Sequence, residues 1–173
     1  MNRRTYIKQV VAAAGGLVAL PSWAEGWVES EIRLGDPLFT ATESSLLASV
    51  ADTIIPAGND VGALSVGVDV FLQKLFQDCY GEDVQANVRV QLKGLDDAAM
   101  ARNSKSFVSC DQLQRQELLL KLSSSTDKAE KDFFDLVKSE TIRGFRTSKD
   151  VMMRYLEYKV VPGHYYGCVD VNV

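Results

Sequence analysis

The sequence predicts an all-α protein: a single compact domain of about six helices, an irregular C-terminal tail behind it and a cleavable signal peptide in front. Three observations predict this. Apolar residues recur at three- and four-residue spacing in successive stretches, N-cap signatures and Gly or Pro punctuate those stretches, and no period-two run of useful length occurs. Connections of roughly 5–10 residues join the stretches, as in packed helical domains.

The chain opens with Arg3 and Arg4 side by side, then Tyr6, Ile7 and Lys8, then an apolar run from Val10 to Leu20. That order is a twin-arginine export signal. Gly15 and Gly16 interrupt the run, which is shorter than the roughly 20 residues a bilayer span needs. Pro21 ends it, and Ser22, Trp23 and Ala24 supply a small-x-small cleavage site before Glu25. The competing reading is an uncleaved anchor or a buried amphipathic helix. Residues 1–24 therefore read as signal peptide, 25–38 as a polar linker with a turn at Gly35, Asp36 and Pro37, and 39–173 as the helical domain.

Within the domain, Thr40 and Glu43 form a capping box. Leu46, Leu47, Val50, Ala51, Ile54 and Ile55 repeat at helical spacing until Pro56, and a Gly/Asn/Asp/Ser loop covers 57–66. Val68, Phe71, Leu72, Leu75, Phe76 and Cys79 make one continuous stripe, with Asp69 in the first turn and Gly81 where a helix C-terminus prefers glycine. Residues 83–102 read as a helix with Val84, Val88, Leu92, Leu95 and Ala99 on one face. Ser109 and Gln112 read as a second capping box, ahead of a helix over 113–122. After a loop at 123–127 the next helix buries Phe133, Phe134 and Val137 and runs to about Arg143, with Gly144 as its stop. Thr147 and Ser148 begin a short last helix through about Tyr155. The tail 160–173 is extended or irregular, because Pro162 and Gly163 break any helix.

Composition removes many functions. Cleavage after Ala24 moves the formal charge from −4 to −7, which disfavours nucleic acid and anionic membrane surfaces. The one histidine, His164, leaves no histidine-built zinc or haem site. The cysteines Cys79, Cys110 and Cys168 lack any Cys-x-x-Cys or iron–sulfur spacing. The dinucleotide fingerprint and the nucleophile elbow are absent, and Gly62 and Gly67 have Walker spacing but are followed by Val68 and Asp69. Phe71, Phe76, Phe133 and Phe134 read as ordinary core at helical spacing, and the charges at Asp96, Asp97 and Lys128 to Asp132 as solvated helix faces. No catalytic, cofactor-binding or metal-ligating residue is singled out. The signal asks for export in the folded state, while the body shows no means of holding a cofactor. A chain that travels with a cofactor-bearing partner resolves the mismatch.

Two features bear on such a partner. Pro162, Gly163, His164, Tyr165, Tyr166 and Cys168 gather tyrosines among turn residues near the chain end. Tyrosine is enriched where a partner buries a surface, so partner docking is the favoured reading and packing on the domain's own helices the other. Three cysteines are an odd number for an oxidising compartment. Cys79 and Cys110, each at a helix end, are the candidate disulfide, closing a loop of about 30 residues; Cys168 is left for a bridge to another chain or as a free thiol.

Four stretches then reach a family. They are the twin-arginine signal at 2–8, Ala51 to Pro56, Gly67 to Leu72, and a C-terminal block of Phe133 to Lys138, Thr141 to Ser148 and Val161 to Cys168. In this order and spacing the chain resembles the small (gamma) subunit of gluconate 2-dehydrogenase and of related membrane-bound flavoprotein dehydrogenases, over most of its length. Arg146 departs from the pattern, standing where members often carry an aromatic residue. The resemblance implies a non-catalytic subunit that supports maturation and twin-arginine export of a large glucose–methanol–choline-type subunit. That large subunit holds FAD and oxidises a sugar, polyol or sugar acid. A multihaem cytochrome c subunit, with haem c, is a further implied partner. The complex is then periplasmic and peripheral to the inner membrane. Two other classes compete: a free-standing periplasmic helical binding domain, and an enzyme with a site the sequence does not display.

Overall fold

Thr40 opens the first helix as its sequence suggests: its Oγ1 accepts the Glu43 backbone N–H at 3.3 Å, and Glu43 Oε2 accepts the Thr40 N–H at 2.8 Å. The computed structural model in which this is seen describes residues 37–159, 161 and 163. From Leu38 onward they belong to one all-α unit. The helices are α1 (Ala41–Ile54), α2 (Val68–Cys79), α3 (Glu82–Asn103), α4 (Gln112–Ser123), α5 (Lys128–Thr147) and α6 (Lys149–Arg154). Short 3₁₀ turns stand at Leu64–Val66 and Phe107–Ser109, and there is no strand among the described residues.

Two helices organise the packing. α1 touches α2, α3, α4 and α5, and α5 touches every other helix of this set. Leu47, Val50 and Ala51 of α1 are fully buried, as are Phe133, Val137 and Thr141 of α5 at four-residue spacing. Leu72 and Phe76 of α2, Val88 and Leu92 of α3, and Leu118 and Leu119 of α4 close the same core. Each large side chain removed from water contributes about 1.5–3 kcal/mol. α1 also buries Ser49 and Thr53, whose hydroxyls donate back to Ser45 O and Ser49 O. α4 is pinned to the C-terminal end of α1: Gln112 donates to Thr53 O, and Arg115 pairs with Asp52 at 3.2 Å.

The structure departs from the sequence reading at several points. Ser109 is not the cap of α4. Asp111 is, accepting the Gln114 N–H at 2.8 Å while Gln114 Oε1 accepts the Asp111 N–H, so a second box two residues on takes the role. Ser109 is held in the 3₁₀ turn that drives Phe107 into the core. Asp96 is no mere solvated face: its carboxylate accepts from Ser106 Oγ and Phe107 N and ties that turn to α3.

Gly81 does not terminate α2 in the left-handed region; it is extended, with φ −70°, and is the N-cap of α3. Gly144 does not end α5, which continues to Thr147. A Cβ at Gly144 would stand 2.5 Å from Cδ1 of Phe71, so glycine there lets α2 and α5 approach closely. A glycine that does take the left-handed region is Gly67, φ +74°, which closes the 3₁₀ turn and starts α2. The linker assigned to 25–38 gives way to core at once: Phe39 is buried, edge-on to Phe76 at 6.2 Å between ring centroids.

Candidate docking surface

Three of the stretches quoted for the resemblance, Ala51 to Pro56, Gly67 to Leu72 and Thr141 to Ser148, meet in one corner. Ala51 to Pro56 ends α1, and the loop after it folds back: Ala63 N–H donates to Ile55 O at 2.9 Å and Val68 N–H to Ala63 O at 3.1 Å. Gly67 to Leu72 then starts α2, placing Phe71 against Gly144 of the Thr141 to Ser148 stretch. On the same side of α5, Tyr80 Oη donates to Glu140 Oε1 at 3.1 Å. Arg143 Nη1 donates to Glu140 Oε1 at 3.4 Å and lies 3.1 Å from Oε2, the latter a charge contact without hydrogen-bond alignment. Glu140 is only 8 % exposed, so this pairing is what makes its carboxylate tolerable there. Burial, and then the bond to Glu140, push the Tyr80 hydroxyl above its ordinary pKa.

Ser148 turns α5 into α6. Its Oγ donates to Phe145 O at 2.8 Å and accepts the Val151 N–H at 3.4 Å. α6 is held by one buried side chain, Val151. Its end is folded back by Leu156 N–H donating to Val151 O and Tyr158 N–H to Met152 O, and Tyr155 Oη reaches Asp60 of the α1–α2 loop at 3.3 Å. The large apolar groups here face water: Met153, Tyr155, Leu156 and Tyr158 are about half exposed, and Val161 is 81 % exposed. Such clustering marks an interaction surface more than a stray exposed leucine does. A groove of about 350 Å³ runs between the helices, lined by Ser139, Ile142, Arg143, Arg146, Thr147, Met152 and Leu156.

Two smaller concavities lie elsewhere. One, about 170 Å³, is bounded by Thr53, Ile54, Leu119, Leu120 and Phe134, with Lys138 Nζ 5.6 Å above the Phe134 ring. The other, about 100 Å³, lies between α3, α4 and the start of α5. In none of the three does a hydroxyl or thiol stand beside a histidine or carboxylate. Among the described residues no group of three or more His, Cys, Asp or Glu side chains could hold a metal. Nor is any helix among them long and apolar enough to cross a membrane.

Of the residues singled out from sequence, Arg3, Arg4, Tyr6, Ile7, Lys8, Ala24, Glu25, Pro162, His164, Tyr165, Tyr166 and Cys168 lie outside the described residues. Gly163 is exposed, with φ +80°. Cys79 and Cys110 are not bonded to each other: Cys79 is an exposed free thiol ending α2, and Cys110 is a buried one. Cys110 Sγ instead accepts from Asn103 Nδ2 at 3.5 Å and donates to Lys105 O at 3.9 Å, which fixes it to its own turn. Sequence reasoning missed Met153, Tyr155, Leu156 and Tyr158. The available signal was a six-residue helix too short to bury two faces, with four large apolar residues in the six positions 153–158.

The family model described as gluconate 2-dehydrogenase subunit 3 matches residues 41–163, from the first residue of α1 past the end of α6 and over more than half of the chain. No curated protein and no solved structure matches the chain. With the six helices of the described residues inside the matched region, the chain belongs to the gluconate 2-dehydrogenase subunit 3 family.

Proposed function

We propose that this chain is the non-catalytic small subunit of a periplasmic FAD-dependent dehydrogenase complex acting on a sugar or sugar acid. Its work is to support folding, maturation and twin-arginine export of the flavoprotein subunit. FAD sits in that large glucose–methanol–choline-type partner, and a multihaem cytochrome c subunit with haem c is a further partner. The complex is then peripheral to the inner membrane. Family membership across the whole helical domain carries this reading. The exposed apolar corner at α6, from which residues 160–173 continue, supports it as the docking face.

The test is co-expression of a tagged chain with a flavoprotein large subunit of this type. The expected result is a yellow, FAD-containing complex in the periplasm. The chain purified alone should be colourless and inactive with sugars and a dye acceptor. Flavin or haem absorbance in the isolated chain would overturn the non-catalytic assignment. A chain that never captures the flavoprotein would favour a free-standing helical binding domain.

A further inference from the structure

Charge is divided unevenly along this domain. Residues 37–137 carry nine Lys or Arg against fifteen Asp or Glu, whereas residues 138–159 carry six against three. Two of those three acids are already engaged: Glu140 with Arg143, and Asp150 with Arg154 at 3.6 Å. Glu157 and the nearby Asp60 are the remaining carboxylates at the corner, and Asp60 accepts from Tyr155. Arg146 and Lys149 are exposed and make no ion pair among the described residues. The basic end of an acidic domain is thus also its most apolar exposed end.

The groove gives this pattern a shape. Ile142, Met152 and Leu156 supply apolar walls, and Arg143 and Arg146 stand at its edge. A concavity of about 350 Å³ accepts inserted side chains, whereas a lipid surface calls for a protruding or flat apolar face. Guanidinium groups at such an edge recognise carboxylates with directed pairs of N–H donors.

Resting on the docking role set out above, we infer that the α5–α6 groove recognises an acidic segment of the flavoprotein subunit. That segment inserts an apolar side chain between Ile142 and Leu156 and sets its carboxylates against Arg143 and Arg146. Recognition is steered by charge, so it weakens as salt screens it.

The experiment measures the dissociation constant of the complex with the co-expressed flavoprotein from low to high NaCl, for three forms of the full chain. Arg146→Glu with Lys149→Glu leaves the Arg143–Glu140 pair intact and puts a favourable acid in the first turn of α6. Its helix content by circular dichroism should match the native chain. Its affinity at low salt should fall roughly tenfold or more, with a flattened salt dependence. Arg146→Lys should keep the salt dependence. Lys93→Glu with Lys105→Glu, the same charge change elsewhere, should shift affinity less than about threefold. If the two double variants behave alike, the groove is not the site, although the complex still forms. If the native chain binds no flavoprotein at any salt, the docking role fails and this inference with it. Vesicles of phosphatidylglycerol that bind the native chain and not the Arg146→Glu, Lys149→Glu form, while flavoprotein affinity is equal in both, would make a lipid the occupant and overturn the proposal.

Discussion

Two glycines inside helices should respond to the same substitution with opposite signs. Gly144 lies in α5 and Gly94 in α3, and alanine is better than glycine in a helix interior by about 0.8–1.0 kcal/mol. A Cβ at Gly94 meets nothing within 4 Å, so Gly94→Ala should realise that gain, about 0.5–1 kcal/mol. A Cβ at Gly144 falls 2.5 Å from Phe71 Cδ1, 2.9 Å from Cε1 and 3.3 Å from Cγ. The Cγ contact matters most, because the root of the ring cannot swing aside without a change of rotamer. Overpacking costs about 1–3 kcal/mol, so Gly144→Ala should be destabilising by about 1 kcal/mol net. For a domain of this size that is a loss of roughly 2–4 °C in Tm. Urea unfolding followed at the helix signal measures both. Phe71→Leu added to Gly144→Ala should recover part of the loss, since the two sites touch and their effects cannot add. A Gly144→Ala protein as much stabilised as Gly94→Ala would show that α2 and α5 are not in close contact, and the account of the corner would fail with it.

Asp111→Ala should cost about 1 kcal/mol through loss of the α4 cap, while Ser109→Ala should stay within about 0.5 kcal/mol; urea midpoints separate the two. Burial alone would raise the Glu43 pKa, but the bonds from Thr40 and Arg89 outweigh it and hold it below 4.5. A depressed carboxylate stabilises the fold above its unfolded pKa and loses that contribution as pH falls through the folded one. Glu43→Gln should therefore flatten the decline in stability below about pH 4.5, read from urea midpoints in acid. The Tyr80 pKa is raised, so its contribution is complete below pH 10 and is lost as pH climbs through the folded value. Tyr80→Phe should remove that alkaline loss and cost about 1–3 kcal/mol at neutral pH, because Glu140 loses its hydroxyl donor. In a Cys168→Ser background, a thiol reagent should modify Cys79 at once and Cys110 only on unfolding; an unreactive Cys79 under native, non-reducing conditions would point to a bond absent from this structure.

Helices announced themselves in the sequence where one signal had no rival. The stripe from Val68 to Cys79 is α2 residue for residue, and the Thr40 to Glu43 box opens α1. Where two signals competed, tertiary packing decided. Two cap patterns overlap at 109–114, and burial of Phe107 committed Ser109 to a turn, leaving the cap to Asp111. Gly144 looks like a stop because glycine ends helices, but the Phe71 ring, more than seventy positions earlier, is what requires it, and no local pattern reports that. At the α6 corner the sequence marks Tyr155 only as the end of a short helix and does not single out Leu156, whose exposure only the fold reveals; the tyrosines of the tail lie outside the described residues. The excess of Lys and Arg over 138–159 was countable from the start and gains meaning only once it borders a groove.

The single buried side chain of α6 has a consequence for how binding at this corner would be observed. α1 is packed against four helices, so the amide hydrogens of its buried turns should exchange with solvent chiefly through global unfolding. α6 opens by releasing one buried side chain, Val151, and the bond from Tyr155 to Asp60, so its amides should exchange through a far smaller fluctuation. A bound partner raises the free energy of both openings by the same linkage increment. In α1 that increment is added to protection already too slow to follow easily. In residues 151–158 it moves exchange from fast to measurable, so the last turn of the domain is the natural reporter of whether its partner is in place.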